Sequence, residues 1–404
     1  MKARTPPSRV RIITAMGATQ TIAWASSYYL PAILGAVIAT SLHLPQSDFF
    51  GAFSGALLLA AILGPTVGRL IDRFGGRALL ALSHLVIASG LFLLAAAQGL
   101  AGLVAAWAVL GLGMAMSLYD PAFAALTRLY GEKARVPITG ITLIAGFAST
   151  IGWPLTAALL HAVGWREAVL FWAAVNLVAG MPVNWFLIPA VGAPLARPQS
   201  GEGLARSGPE PRWAMPVLAY YFAATWFVTG AMAAHLPRLL ERAGASEGAA
   251  ILAASLVGPA QVLARLLELG FLRRFHPLVS ARLAAGLHPF GAAVLLFFGA
   301  RGAALFALLH GAGNGIVTIA KGTLPLALFG AKGYGRRNGV LGAPARVIQA
   351  FAPLLFGLVM RRFGADAVVL TAALSLSASF SLFLLRARAP ALLEERRMGE
   401  TRSL

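Results

Sequence analysis

Residues 129–140, "LYGEKARVPITG", and residues 328–339, "LFGAKGYGRRNG", decide how this chain is read. A shift of 199 residues places Gly131 on Gly330, Lys133 on Lys332 and Gly140 on Gly339. Each stretch runs into an apolar segment, and Pro154 falls on Pro353 at the same shift. A chain of two equivalent apolar halves has a natural binding site at the interface between them.

Working outward, apolar segments recur along all 404 residues, 58% of which are hydrophobic, with a mean hydropathy of +0.77. A soluble core of this size does not need so apolar a chain. Segments of about 20 apolar residues read as membrane-spanning helices. Twelve are expected, over 12–40, 48–67, 78–98, 100–126, 137–161, 166–189, 213–240, 247–270, 281–300, 302–330, 338–360 and 364–386. The fold class is therefore an all-α polytopic membrane protein. The 44 Gly and 23 Pro suit close helix packing and broken helices. No cleavable leader is expected, because the first apolar segment is long and runs into further spans.

The formal charge of +19 invites a nucleic-acid partner, but its placement argues against one. With the N-terminus in the cytoplasm, 24 of the 33 Lys and Arg fall on the inner side and six on the outer. The remaining three, Arg265, Lys321 and Arg346, lie inside spans. This is the positive-inside bias, so both termini are expected to be cytoplasmic and the inner loops to face anionic lipid. The absence of cysteine excludes disulfides and thiolate chemistry. Metal spacing, phosphate loop and nucleophile elbow are all missing from the sequence, so no cofactor, metal or catalytic residue is expected. Gly111-Leu112-Gly113 lies within a span and reads as helix packing.

Residues 190–212 are the one long polar stretch rich in Pro, Gly and Ser. They read as a cytoplasmic linker between a six-helix bundle over 1–189 and a second over 213–390, with a tail over 391–404. After span two comes Gly68-Arg69-Leu70-Ile71-Asp72-Arg73-Phe74-Gly75-Gly76-Arg77. With two six-span halves and a cytoplasmic middle loop, this resembles the major facilitator superfamily and its signature G-x-L-x-D-R-x-G-R-R/K. The second half carries an echo, "LELGFLRRFHP", without the acid. The resemblance implies secondary transport and a gating role for Gly68, Asp72, Arg73, Gly75 and Arg77. Physically, Gly lets helices approach and Asp72 caps or pairs a helix end across the halves. A solvated inner loop is the plainer reading of the same charges.

A charge near the bilayer centre costs about 2.5–3.5 kcal/mol on insertion scales, so such residues face a cavity and carry function. Five qualify: Asp120 in span four, Arg265 and Glu268 in span eight, Lys321 in span ten and Arg346 in span eleven. Gln261, Arg265 and Glu268 share a helical side, as do Asn314, Thr318 and Lys321, and Gln20, Trp24 and Ser27 beside Tyr28. Arg346 and Gln349 are one turn apart. Spans three, six, nine and twelve are plain but for His84 and Asn176. If Glu268 pairs with Arg265, and Asp120 with Lys321 or Arg346, one cation is left over. A surplus cation favours an anionic substrate, and Arg suits a carboxylate. Asp120, before Pro121 at a kink, has two readings: a proton-coupling carboxylate or a plain ion-pair partner. Lys321 and Arg346 are open to serving only that pair, and Glu268 to a membrane-edge role. Tyr28, Tyr29, Tyr220, Tyr221 and Trp226 are open to lining the path or to packing. His84, His161, His235, His288 and His310 read as scattered single residues.

"GPAQVLARLLELGFL" in span eight is similar to the monocarboxylate transporter pattern, which implies that Arg265 grips a carboxylate. That family's acidic residue one turn earlier is replaced here by Gln261. The first expectation is thus a monomeric bacterial inner-membrane transporter moving a small organic anion by alternating access. Arg265, Lys321, Arg346, Gln261, Asn314, Tyr28, Trp24 and Gln20 would bind it, and a proton or counter-substrate would drive it. The alternative is an efflux pump for drug-like or toxic compounds. Its span-five signature is matched only by "ASTIGWPLTAAL", where Trp153 separates Gly152 from Pro154. A non-transporting receptor gives no reason for five buried charges, and an enzyme lacks a nucleophile–base pair.

Overall fold

Apolar runs of these lengths satisfy every backbone group only as helices, and helices account for the structure. The computed structural model describes residues 8–130, 134–190, 213–272, 275–329 and 334–385. Ten continuous stretches are long and apolar enough to cross a membrane. Two of them run 45 residues and are broken by the short turns Gly299–Gly302 and Gly364–Ala367, which makes twelve helices among the described residues. They are α1 (Arg9–Ser41), α2 (Gln46–Phe74), α3 (Gly76–Ala96), α4 (Leu100–Tyr130), α5 (135–163) and α6 (Trp165–Leu187) in the first half. The second half holds α7 (Ala214–Arg242), α8 (247–270), α9 (Pro277–Phe298), α10 (Ala303–Phe329), α11 (Tyr334–Phe363) and α12 (368–384). Each matches one expected span. The motif loop residues Gly131, Lys133, Gly330 and Lys332, the linker 191–212 and the tail beyond 385 lie outside the described residues.

The repeat seen in sequence recurs in packing. In the first half α1 packs on α5, α2 on α4, and α3 on α4 and α6; in the second, α7 packs on α11, α8 on α10, and α9 on α10 and α12. Small residues set the closest crossings, as helix association in lipid requires. A Cβ added at Gly111 would sit 2.7 Å from the Ala56 carbonyl oxygen, and one at Gly311 would sit 2.6 Å from that of Val257. Between α5 and α6, Gly164 takes a φ of 93°, which an L side chain rarely adopts. Arg166 then donates to the carbonyls of Ala95 (3.1 Å) and Ala97 (3.3 Å), satisfying the free end of α3.

The halves meet through α1 with α7, α2 with α11, and α5 with α8. On the side away from the termini, the apolar core runs from one half into the other. Ala233 and Ala234 join the first-half cluster, while Ala32, Trp153 and Ala157 join the second-half one. On the terminal side the clusters stay separate: Ile12, Val67, Leu80 and Leu126 in one half, Leu218, Leu278, Leu324 and Leu341 in the other. Among the described residues the halves thus share apolar core on the distal side and keep separate cores on the terminal side.

Candidate functional site

Helix breaks build the site. Pro121 has no N–H to offer the carbonyl of Ser117, four residues earlier. That carbonyl instead accepts from Gln20 Nε2 of α1. In α1 itself a wide π turn over Trp24–Tyr28 precedes a second helical segment opening Leu30-Pro31, and the Tyr29 carbonyl accepts from Trp153 Nε1 at 3.2 Å. In α5 the helix breaks at Gly146–Phe147, beside Thr142. Interrupted helices near the membrane midplane expose backbone groups to a site that regular helices would hide.

Arg265 is the deepest charge, only 3% exposed. Its Nη1 donates to the Thr142 carbonyl of α5 at 2.6 Å and its Nη2 to Gln261 Oε1 at 3.1 Å. The Tyr119 and Tyr29 hydroxyls lie within its field. Arg265 therefore ties the two halves together through a neutral acceptor. The expected pairing of Arg265 with Glu268 does not form: Ser280 of α9 donates to Glu268 Oε2 at 2.8 Å. Positions i and i+3 lie only about 60° apart around the helix. It is the partners on neighbouring helices that draw the side chains apart, Arg265 to α5 and Glu268 to α9.

Asp120 meets Arg346 across the halves, with 3.7 Å between Oδ2 and Nη1. Ten residues separate Asp120 from the end of α4, about 15 Å at the helical rise. Its side chain is nonetheless 58% exposed. Lys321 takes neither partner as a close pair; its ammonium stands 4.2 Å from the Trp226 ring centroid, in the field of Asp120. Asn314 accepts from the Thr229 hydroxyl at 2.9 Å, and Tyr28 accepts from Gln349 Nε2 of α11 at 2.9 Å. Among the described residues no group of three His, Cys, Asp or Glu gathers at a metal-holding distance.

The family model of the Major Facilitator Superfamily matches residues 16–320. The chain belongs to this superfamily. It is a multi-pass membrane transporter rather than an enzyme. A bacterial homolog of the human lysosomal transporter Spinster, in an inward-facing and occupied conformation, superposes with a TM-score of 0.67 at 16% identity over 94% of this chain and 97% of that one. The nucleoside transporter NupG gives a TM-score of 0.72 at 13% identity over 93% and 99%. Both likenesses are of fold. Among curated proteins, a Multidrug resistance protein B homolog of Mycobacterium tuberculosis is 29% identical over 191 residues, 44% of this chain and 34% of that protein. The chain thus spans about a third of the length of the curated relatives it matches.

Within this superfamily frame, the loop motif behaves differently from expectation. Gly68 was expected to let helices approach, but a Cβ there would meet open space. Gly75 instead takes a φ of 87°, and Gly76 lies against Ala125 of α4. Arg73 sits 5.0 Å from the Phe74 ring and Arg77 5.0 Å from the Trp185 ring, both within the first half. The side chain of Asp72 is outside the described ones.

Tyr220 bonds Ser377 at 2.5 Å and Tyr221 donates to the Ala281 carbonyl, so neither lines the path. The histidines are not all isolated: His288 and His310 meet Nδ1 to Nδ1 at 3.0 Å, with Thr371 at 2.9 Å from His288 Nε2. His84 bonds Asn176 at 2.7 Å, and His161 meets Glu247 at 3.1 Å across the distal rim. Their sequence separations follow no helical period, so only the fold brings them together. Two site residues escaped the sequence reading, Tyr119 and Trp153. Tyr119 is the neighbour of Asp120, and Trp153 looked like an interruption between Gly152 and Pro154.

Proposed function

We propose that this transporter moves a small organic anion across the bacterial cytoplasmic membrane by alternating access, with the terminal side facing the cytoplasm. One observation carries the reading. The second half carries three cations within its spans, Arg265, Lys321 and Arg346. Lys321 and Arg346 lie in the field of Asp120, which among the described residues is the one carboxylate in an ion pair with any of the three. Glu268, turned to Ser280, does not offset them. A low-dielectric cleft with surplus cations concentrates anions. A monocarboxylate suits the Arg265 fork, with Lys321 or Arg346 assisting. Asp120, paired with Arg346 across the halves, is the carboxylate this reading offers for coupling.

A second reading, export of drug-like compounds, is supported by the Multidrug resistance protein B homolog and by the aromatic side chains around Trp24. Proteoliposomes loaded with a mixed panel of labelled acids, lactate and pyruvate among them, separate the two under an imposed pH gradient. Saturable acid flux that Arg265→Ala abolishes is the expected result. Flux of cationic or neutral compounds alone, indifferent to Arg265→Ala, would overturn the anion reading.

A further inference from the structure

Gln20, Trp24 and Tyr28 belong to the first-half wall of the expected site, and a plain organic anion gives that wall no chemistry of its own. That wall is aromatic. The Trp24 ring lies 4.8 Å from Tyr119, 4.9 Å from Tyr28 and 6.0 Å from Tyr29, and Tyr29 lies 5.5 Å from Trp153. Packing alone would bury such rings completely. Trp24, Tyr29 and Tyr119 are instead half-buried, and the Tyr29 and Tyr119 hydroxyls lie in the field of the Arg265 guanidinium.

Three buried polar atoms at the same place have no partner. Gln20 is 3% exposed; its Nε2 is engaged by Ser117, while its Oε1 receives no donor. Trp24 Nε1 and Arg265 Nε have no acceptor. Each such orphan is unfavourable by itself, so several around one cluster of rings point to a missing ligand. Two are donors and one is an acceptor. Gln20 and Trp24 are separated by one helical turn, so the acceptor and the ring share a face of α1.

Resting on the anion reading, we infer that the substrate is a planar aromatic carboxylate with a hydroxyl or amino donor on its ring. The carboxylate takes Arg265, the ring lies against Trp24 and Tyr119, and the ring donor reaches Gln20 Oε1. Short aliphatic acids would satisfy Arg265 alone and leave the other two features empty.

Titration calorimetry on the full chain in nanodiscs tests this with four acids: 4-hydroxybenzoate, benzoate, cyclohexanecarboxylate and lactate. Benzoate is expected to bind roughly 2- to 10-fold tighter than its saturated counterpart, the range of one aromatic pair. 4-Hydroxybenzoate should gain a similar roughly 2- to 10-fold over benzoate through one hydrogen bond. Trp24→Leu should erase the first ratio and Trp24→Phe, which keeps a ring, should preserve it; Gln20→Leu should erase the second. Equal binding of benzoate and cyclohexanecarboxylate, or a ratio that survives Trp24→Leu, overturns the aromatic assignment while acid binding still upholds the anion reading. A second ratio unchanged by Gln20→Leu overturns the ring donor. Failure of all four acids to bind overturns the anion reading itself.

Discussion

Set side by side, the two halves pack their helices alike and furnish the site differently. The first contributes rings: Trp24, Tyr28, Tyr29, Tyr119 and Trp153. The second contributes cations: Arg265, Lys321 and Arg346. At the shift of 199 residues those cations fall opposite Thr66, Ala122 and Phe147, and Trp24 and Tyr119 opposite Ala223 and Thr318. The repeat kept the crossings at Gly111 and Gly311 and let the lining diverge. A duplicated scaffold thus carries a candidate site with one charged face and one flat, aromatic face.

Three changes probe that division. The largest effect is expected at Arg265. Arg265→Gln should weaken acid binding by about 30-fold or more, because a buried charged contact is worth about 2–5 kcal/mol. Lys321→Gln measured in the same titration should cost far less. Equal, small losses from both would mean that the second half acts as a diffuse field and not as a gripping site. Next comes Asp120→Asn, which removes the carboxylate 3.7 Å from Arg346. Acid affinity should rise by roughly 5-fold, about 1 kcal/mol, and the gain should shrink with added salt because the pair is open to solvent. A fall in affinity would show that Asp120 holds Arg346 in its working place. The smallest change is Gln349→Leu, which breaks the 2.9 Å bond between α11 and Tyr28. Thermal unfolding should report a loss of about 0.5–1.5 kcal/mol, the value of one neutral hydrogen bond. No loss would mean that this bond adds nothing to the packing of α1 on α7, α2 on α11 and α5 on α8 that joins the halves.

Much of the scaffold was legible in the residues themselves. Length and hydropathy place each of the twelve helices, and Pro121 does mark a break in α4. Charges inside spans announce Asp120, Arg265, Lys321 and Arg346 because lipid tolerates no idle ones. The Asp120–Arg346 pair stood among the readable alternatives. The partner of Arg265 did not, since a backbone carbonyl 123 residues away leaves no trace in residue identity. Glu268 misled for a related reason: helical spacing gives adjacency on a cylinder, and the neighbouring helices α5 and α9 decide which way each side chain turns. Tyr119 and Trp153 were missed because aromatic residues in a membrane chain are common, and only the surrounding rings and unpartnered polar atoms set these two apart.

The bond from Arg265 to the Thr142 carbonyl has one more consequence. On the anion reading, that carbonyl is a stand-in for cargo, occupying the guanidinium whenever the site is empty. An arriving carboxylate must displace it, so loading the protein and unfastening α5 from α8 become one event. The empty form stays latched. On that reading the empty form resists a parting of α5 from α8 that the loaded form permits.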